Sequence, residues 1–79
     1  MEVYEEKNVR KYLEKRNILN QYKQAKENFV AGRFQQIQLK KRRPKKFEGL
    51  QFRITKKYRA FGYFKTSTIF IVTEISDHQ

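Results

Sequence analysis

The hydrophobic period of this chain changes partway along its length, and that change limits the folds open to it. Val9, Tyr12, Leu13 and the aliphatic stem of Arg16 fall at i, i+3, i+4 and i+7. That spacing predicts a helix over about residues 5–16. Glu5 and Glu6 at its start and Lys15 and Arg16 at its end suit the helix dipole. Asn17 or Asn20 can break the chain there. A second helix is expected over 18–31, with Ile18, Leu19, Tyr22, Ala25, Phe29 and Val30 as its apolar stripe and Gly32 as its stop. From Leu50 the period is two. Leu50, Phe52 and Ile54 alternate with Gln51, Arg53 and Thr55, as in a half-buried strand. Tyr58–Phe64 reads as a second strand, with Gly62 at a bulge or close contact. Ile69–Ile75 reads as a third, nearly continuous in apolar residues and therefore central in the sheet or covered on both faces. Lys56-Lys57 and Thr66–Thr68 are the turns between them, and Glu2–Tyr4 is a very short strand or a lead-in segment.

These elements describe an α+β fold: an N-terminal helical hairpin (about 5–31), a basic connector (about 33–49) and a β-meander (about 50–76). The helices are expected on one face of a small antiparallel sheet. The 79 residues suffice for one domain with a thin core. Seven Phe and five Tyr supply the burial area that a disordered chain lacks.

Charge is concentrated in the connector and the strands after it. Residues 1–32 carry seven basic and five acidic side chains, residues 33–65 twelve and one, and residues 66–79 only two acids. The net charge of +11 therefore equals the +11 of the middle segment. Lys40, Lys41, Arg42, Arg43, Lys45 and Lys46 crowd around Pro44, which bars a helix interior. Such a run repels itself until an anion neutralises it, and nucleic-acid phosphate is the anion that fits, because neutralising it releases counterions. The competing reading is a solvated loop.

Several classes are excluded. Without Cys there is no disulfide scaffold, thiol nucleophile or Cys-based zinc site. One His and scattered acids give no metal-ligand spacing, so neither metal nor cofactor is expected. The longest apolar run, Ile69–Val72, is far too short to span a membrane, and the acidic start of the chain does not read as a secretory signal.

Candidate chemistry clusters in the strands. With Phe52 turned to the core, Arg53 and Thr55 face solvent or a ligand, and Arg59, Phe61 and Tyr63 share one face of the next strand. Arg53 and Arg59 flank the Lys56-Lys57 turn. Guanidinium forks grip phosphate oxygens in two contacts, and aromatic rings stack unpaired bases. Arg59 is alternatively a cross-strand ion partner of Glu74. His78, beside Asp77, can exchange a proton near neutral pH, or it is a frayed terminal residue. Glu48, the one acid in 33–65, is a proton acceptor weakened by its cationic surroundings, or a turn residue paired with Lys45 or Lys46.

The stretch Phe52-Arg53-Ile54-Thr55-Lys56-Lys57-Tyr58-Arg59-Ala60-Phe61-Gly62-Tyr63-Phe64, with the ending Glu74-Ile75-Ser76-Asp77-His78-Gln79, resembles the bacterial RelE/ParE toxin superfamily. The likeness is closest over 50–79 and architectural before that. It implies the RelE-like microbial ribonuclease fold and a cytoplasmic toxin of a type II toxin–antitoxin system. Such a toxin is held by a cognate antitoxin and cuts mRNA in the ribosomal decoding site without a metal. On this likeness Arg53 and Arg59 match phosphate-stabilising positions, His78 the C-terminal acid/base, and Glu48 the base of the YoeB-like branch. Lys40, Lys41, Arg42, Arg43, Lys45, Lys46, Lys56, Lys57, Phe61 and Tyr63 form the expected RNA-binding set. Thr55 stands where RelE itself often has Lys, and the chain ends one residue after the His. A non-catalytic RNA- or ribosome-binding module and a ParE-like topoisomerase inhibitor are the competing functions.

Overall fold

The computed structural model describes residues 1–41 and 49–77. Its elements run β1 (Glu2–Glu5), α1 (Val9–Lys15), α2 (Leu19–Val30), β2 (Lys40–Lys41), β3 (Leu50–Arg53), β4 (Arg59–Thr66) and β5 (Ile69–Ser76). The α+β class holds. Strands β3, β4 and β5 form the expected antiparallel meander.

The sheet is larger than expected and is mixed. Its order is β1-β5-β4-β3-β2, because β1 lies parallel to β5 with Val3 opposite Phe70 and Tyr4 opposite Ile71. Pairing β1 with the far end of the chain is a non-local choice that local periodicity does not encode. It also shortens α1. Glu5 is drawn into the strand opposite Val72, where its carboxylate accepts hydrogen bonds from the Tyr22 hydroxyl (2.7 Å) and the Lys26 ammonium (2.9 Å). The helix then begins at Val9, and neither expected acid occupies its first turn. At the other edge, Lys40 and Lys41 pair with Gln51 and Leu50, so the basic connector begins as a strand.

Left-handed backbone bounds α2 on both sides. Asn17 (φ 58°) joins α1 to α2, and Gly32 (φ 79°) ends α2, the latter as expected of a residue without Cβ. The segment after it turns inward at Ile37, which is buried and whose carbonyl accepts from the Arg53 N–H at 2.7 Å.

Both helices cover one face of the sheet. Val9, Leu13, Tyr22, Ala25 and Phe29 meet Phe52, Ala60, Phe70, Val72 and Ile75 in one core cluster. Phe29 is its centre, with ring centroids 4.7 Å from Phe70 and 5.4 Å from Phe52. Gly62 lies on this face because nothing larger fits: a Cβ there would sit 2.1 Å from the Ile71 carbonyl oxygen. Next to it the register slips, so that Phe61 opposes Glu74 while Gly62 opposes Val72. Thr73 is the extra residue of a β-bulge, and its hydroxyl donates to the Phe61 carbonyl (3.3 Å). The bulge lets Val72 and Ile75 both face the helices although they are three positions apart. No helix among the described residues is long and apolar enough to cross a membrane.

Candidate nucleic-acid interface

The helix-free face of the sheet carries the residues of interest. Register places Arg53 directly opposite Arg59, and Arg59 directly opposite Ser76. These three side chains form one row across β3, β4 and β5, with neighbouring strands about 4.8 Å apart. Like charges directly opposite in an antiparallel pair are destabilising. Arg53 is half-buried. Arg59 is only 8% exposed, and one terminal guanidinium nitrogen (NH1) is shut off from solvent with no hydrogen-bond partner. Glu74, the alternative ion partner of Arg59, stands opposite Phe61, two pairs along the β4–β5 ladder from Arg59.

The turn that joins the two arginines is built by Thr55. Its hydroxyl accepts from the N–H groups of Lys57 (3.1 Å) and Tyr58 (3.0 Å), and the Ile54 N–H donates to the Tyr58 carbonyl (3.0 Å). Thr55 therefore shapes the turn and does not stand on a strand facing a ligand. This hydroxyl does what Gly or Asn does in other hairpins, and it leaves Lys56 and Lys57 exposed at the tip. Beside them, a ladder of cations and rings ties the turn to α1. Arg16 lies 5.1 Å over the Tyr12 ring, Tyr12 meets Tyr58 edge-on at 6.3 Å, and Lys57 lies 5.4 Å over Tyr58. Arg16, Tyr12 and Tyr58 were not among the expected site residues. The aromatic at 58 beside Lys57 was the available signal, but its partner lies on α1.

Of the expected RNA-binding set, Lys40, Lys41, Lys56, Lys57 and Tyr63 are exposed. Phe61 shares the face of Arg59 and Tyr63 but is only 6% exposed and lies outside the main core cluster, so its ring is closed to a base in this structure. Gln51, opposite Phe61, is buried as well. His78, Glu48, Arg42, Arg43, Lys45 and Lys46 lie outside the described residues. Among the described residues no three of His, Cys, Asp and Glu cluster as metal ligands.

Compared with known proteins, the chain matches no family model, no curated protein and no solved structure.

Proposed function

We propose that this protein is a RelE-like toxin that binds single-stranded RNA on the helix-free face of its sheet and cleaves it. The observation that carries the reading is the Arg53–Arg59 pair: two arginines directly opposite on β3 and β4, one of them buried with an unpartnered guanidinium nitrogen. A buried charged donor without a partner is costly, and so is a like charge opposite it. Seating a phosphodiester against this buried nitrogen requires the site to open locally, and once seated it relieves both costs through charge-assisted hydrogen bonds.

In the proposed reaction the ribose 2′-oxygen attacks the adjacent phosphorus and the P–O5′ bond breaks. The products are a 2′,3′-cyclic phosphate and a 5′-hydroxyl end. Glu48 takes the 2′-hydroxyl proton, and His78 gives a proton to the departing 5′-oxygen. Arg53 and Arg59 neutralise the charge that builds on the non-bridging oxygens, a role in which one lost donor costs about 10²–10³-fold in rate. The order of the sheet supports the assignment of His78, since Ser76, two residues before it, is paired with Arg59. The remaining parts of the proposal follow from the RelE/ParE likeness: action on ribosome-bound mRNA, restraint by an antitoxin, and the cytoplasm as the site of action.

The test is cleavage of ribosome-bound message by wild type and His78→Ala, with and without chelator. The expected result is cleavage by wild type that survives the chelator and is lost in the variant. Salt-sensitive RNA binding without cleavage in either protein would identify a binding module. Growth arrest with DNA damage and intact transcripts would identify a topoisomerase inhibitor.

A further inference from the structure

The same sheet face carries a second feature that the arginine row does not account for. Tyr4 on β1, Ile71 on β5 and Tyr63 on β4 stand in direct register, Tyr4 opposite Ile71 and Ile71 opposite Tyr63. They make a continuous apolar strip across three adjacent strands. Tyr4 is 50% exposed and Tyr63 43%, and neither helix packs on them. A contiguous exposed apolar strip rimmed by polar residues is the kind of surface on which a ligand or partner lies. From Tyr63 to Arg59 is four residues along β4, or about 13 Å at the usual strand rise.

We propose that the Tyr4–Ile71–Tyr63 strip is a stacking platform for unpaired nucleobases of the RNA whose phosphate sits at Arg53 and Arg59. The inference rests on the RNA-binding reading above and adds to it a base-binding subsite on β1, β5 and β4. Charge complementarity selects the occupant. The arginine row on the same face draws in a polyanion. Around the strip itself the charges are mixed: Glu2, which accepts a hydrogen bond from the Tyr4 hydroxyl, stands on β1, and Lys65 lies two residues beyond Tyr63 on β4. Both are exposed. Positive charge is concentrated at the arginine row, and the rings of the strip offer a π-face to a neutral base. The strand backbone therefore lies along the arginines and its bases splay onto the rings. Aromatics on neighbouring strands of an open sheet bind single-stranded RNA in this way, and each stacked base contributes independently of its identity.

The experiment is fluorescence-anisotropy titration of a labelled single-stranded ten-nucleotide RNA at several salt concentrations. The proteins compared are wild type, Tyr4→Leu, Tyr63→Leu, Tyr63→Phe and Arg53→Ala, each checked for folding by circular dichroism. Loss of one stacking ring weakens binding about 5- to 150-fold, while Tyr63→Phe, which keeps the ring, binds within about twofold of wild type. The leucine variants keep the wild-type salt slope, because stacking releases no counterions, and Arg53→Ala lowers that slope by about one. An RNA carrying abasic sites at the stacked positions binds wild type as weakly as the intact RNA binds the leucine variants. If wild type binds RNA and both leucine variants bind it equally well, the platform is overturned while the arginine site stands, and the strip is left to a protein partner. If wild type does not bind RNA at all, the functional reading fails and the platform with it.

Discussion

Replacing Arg59 by Met separates what the fold needs from what the site needs. Met keeps an unbranched apolar stem of similar reach and removes the guanidinium. In wild type Arg59 is 8% exposed, one of its guanidinium nitrogens is buried without a hydrogen-bond partner, and the residue stands opposite Arg53. An unsatisfied buried donor costs about 1–3 kcal/mol, and a like-charge cross-strand pair adds about 0.2–1 kcal/mol. Arg59→Met is therefore expected to stabilise the free protein by about 1–4 kcal/mol. For a domain of this size each kcal/mol moves Tm by about 4–8 °C, so the rise is at least about 4 °C. On the proposed function, RNA cleavage in the same variant is expected to fall by about 10²-fold or more. Ligand reverses the stability order. At 100 times its Kd, an RNA that binds only the folded state adds about 2.7 kcal/mol to wild type, and the variant gains much less. The assay is a set of thermal melts followed by circular dichroism in phosphate-free, low-salt buffer, with and without the RNA. A lower Tm for Arg59→Met than for wild type without RNA would refute the reasoning, because it would mean that the guanidinium holds the fold together.

Two further predictions concern the frame around the site. Gly62→Ala drives a Cβ to within 2.1 Å of the Ile71 carbonyl oxygen, whereas Gly32→Ala meets nothing within 4 Å and suffers only from its φ of 79°. Urea denaturation should show the first losing several kcal/mol, as over-packing against backbone does, and the second about 1 kcal/mol. Comparable losses would remove the close approach of β4 and β5 at Gly62. Burial first, and then the hydrogen bond to Glu5, push the Tyr22 phenol well above its ordinary value of 10.0. The folded state thus holds a proton that the unfolded chain releases, and this contribution is full below pH 10 and is lost as pH rises beyond it. Stability measured from pH 8 to 11 should fall more steeply in wild type than in Tyr22→Phe, and parallel curves would sink the assignment.

The helical half and the meander were legible in the sequence because their cues are local. Phe29 and Leu13 repeat at helical spacing, Gly32 stops α2, and Phe52 alternates with Arg53. The Arg53–Arg59 pair was legible for the same reason, since the two residues flank a short turn. What was not legible depends on distant neighbours. Glu5 and Glu6 looked like the acidic start of a helix, and only pairing with Val72 makes Glu5 a strand residue. Phe61 looked like an exposed aromatic by alternation with Ala60, yet it is buried. Tyr4 belongs to the sheet face that holds Tyr63 only because β1 adds in parallel beside β5. Lys40 and Lys41 read as loop because a two-residue edge strand has no period of its own.

The bulge at Thr73 sets which way the end of β5 faces, and it makes an unusual prediction. In a regular strand Val72 and Ile75 would face opposite ways, since successive side chains alternate. The slip between Phe61 and Gly62 absorbs Thr73 and returns Ile75 to the helices, opposite Ala60, with Ser76 opposite Arg59. Deleting Thr73 from this central strand therefore leaves every other pairing in place: Val72 still opposes Gly62 and Glu74 still opposes Phe61. The loss is the hydrogen bond from Thr73 to the Phe61 carbonyl together with some local twist, about 1 kcal/mol. RNA affinity changes by less than tenfold. Inserting one alanine between Glu74 and Ile75 does the reverse. It turns the Ile75 side chain to the helix-free face, at about 1.5–3 kcal/mol for the lost burial, and moves Ser76 out of the arginine row. Denaturation curves and RNA titrations of the two variants decide the matter: a tolerated insertion beside a deletion that unfolds the protein would show that Thr73 is not the residue that sets which way the end of β5 faces.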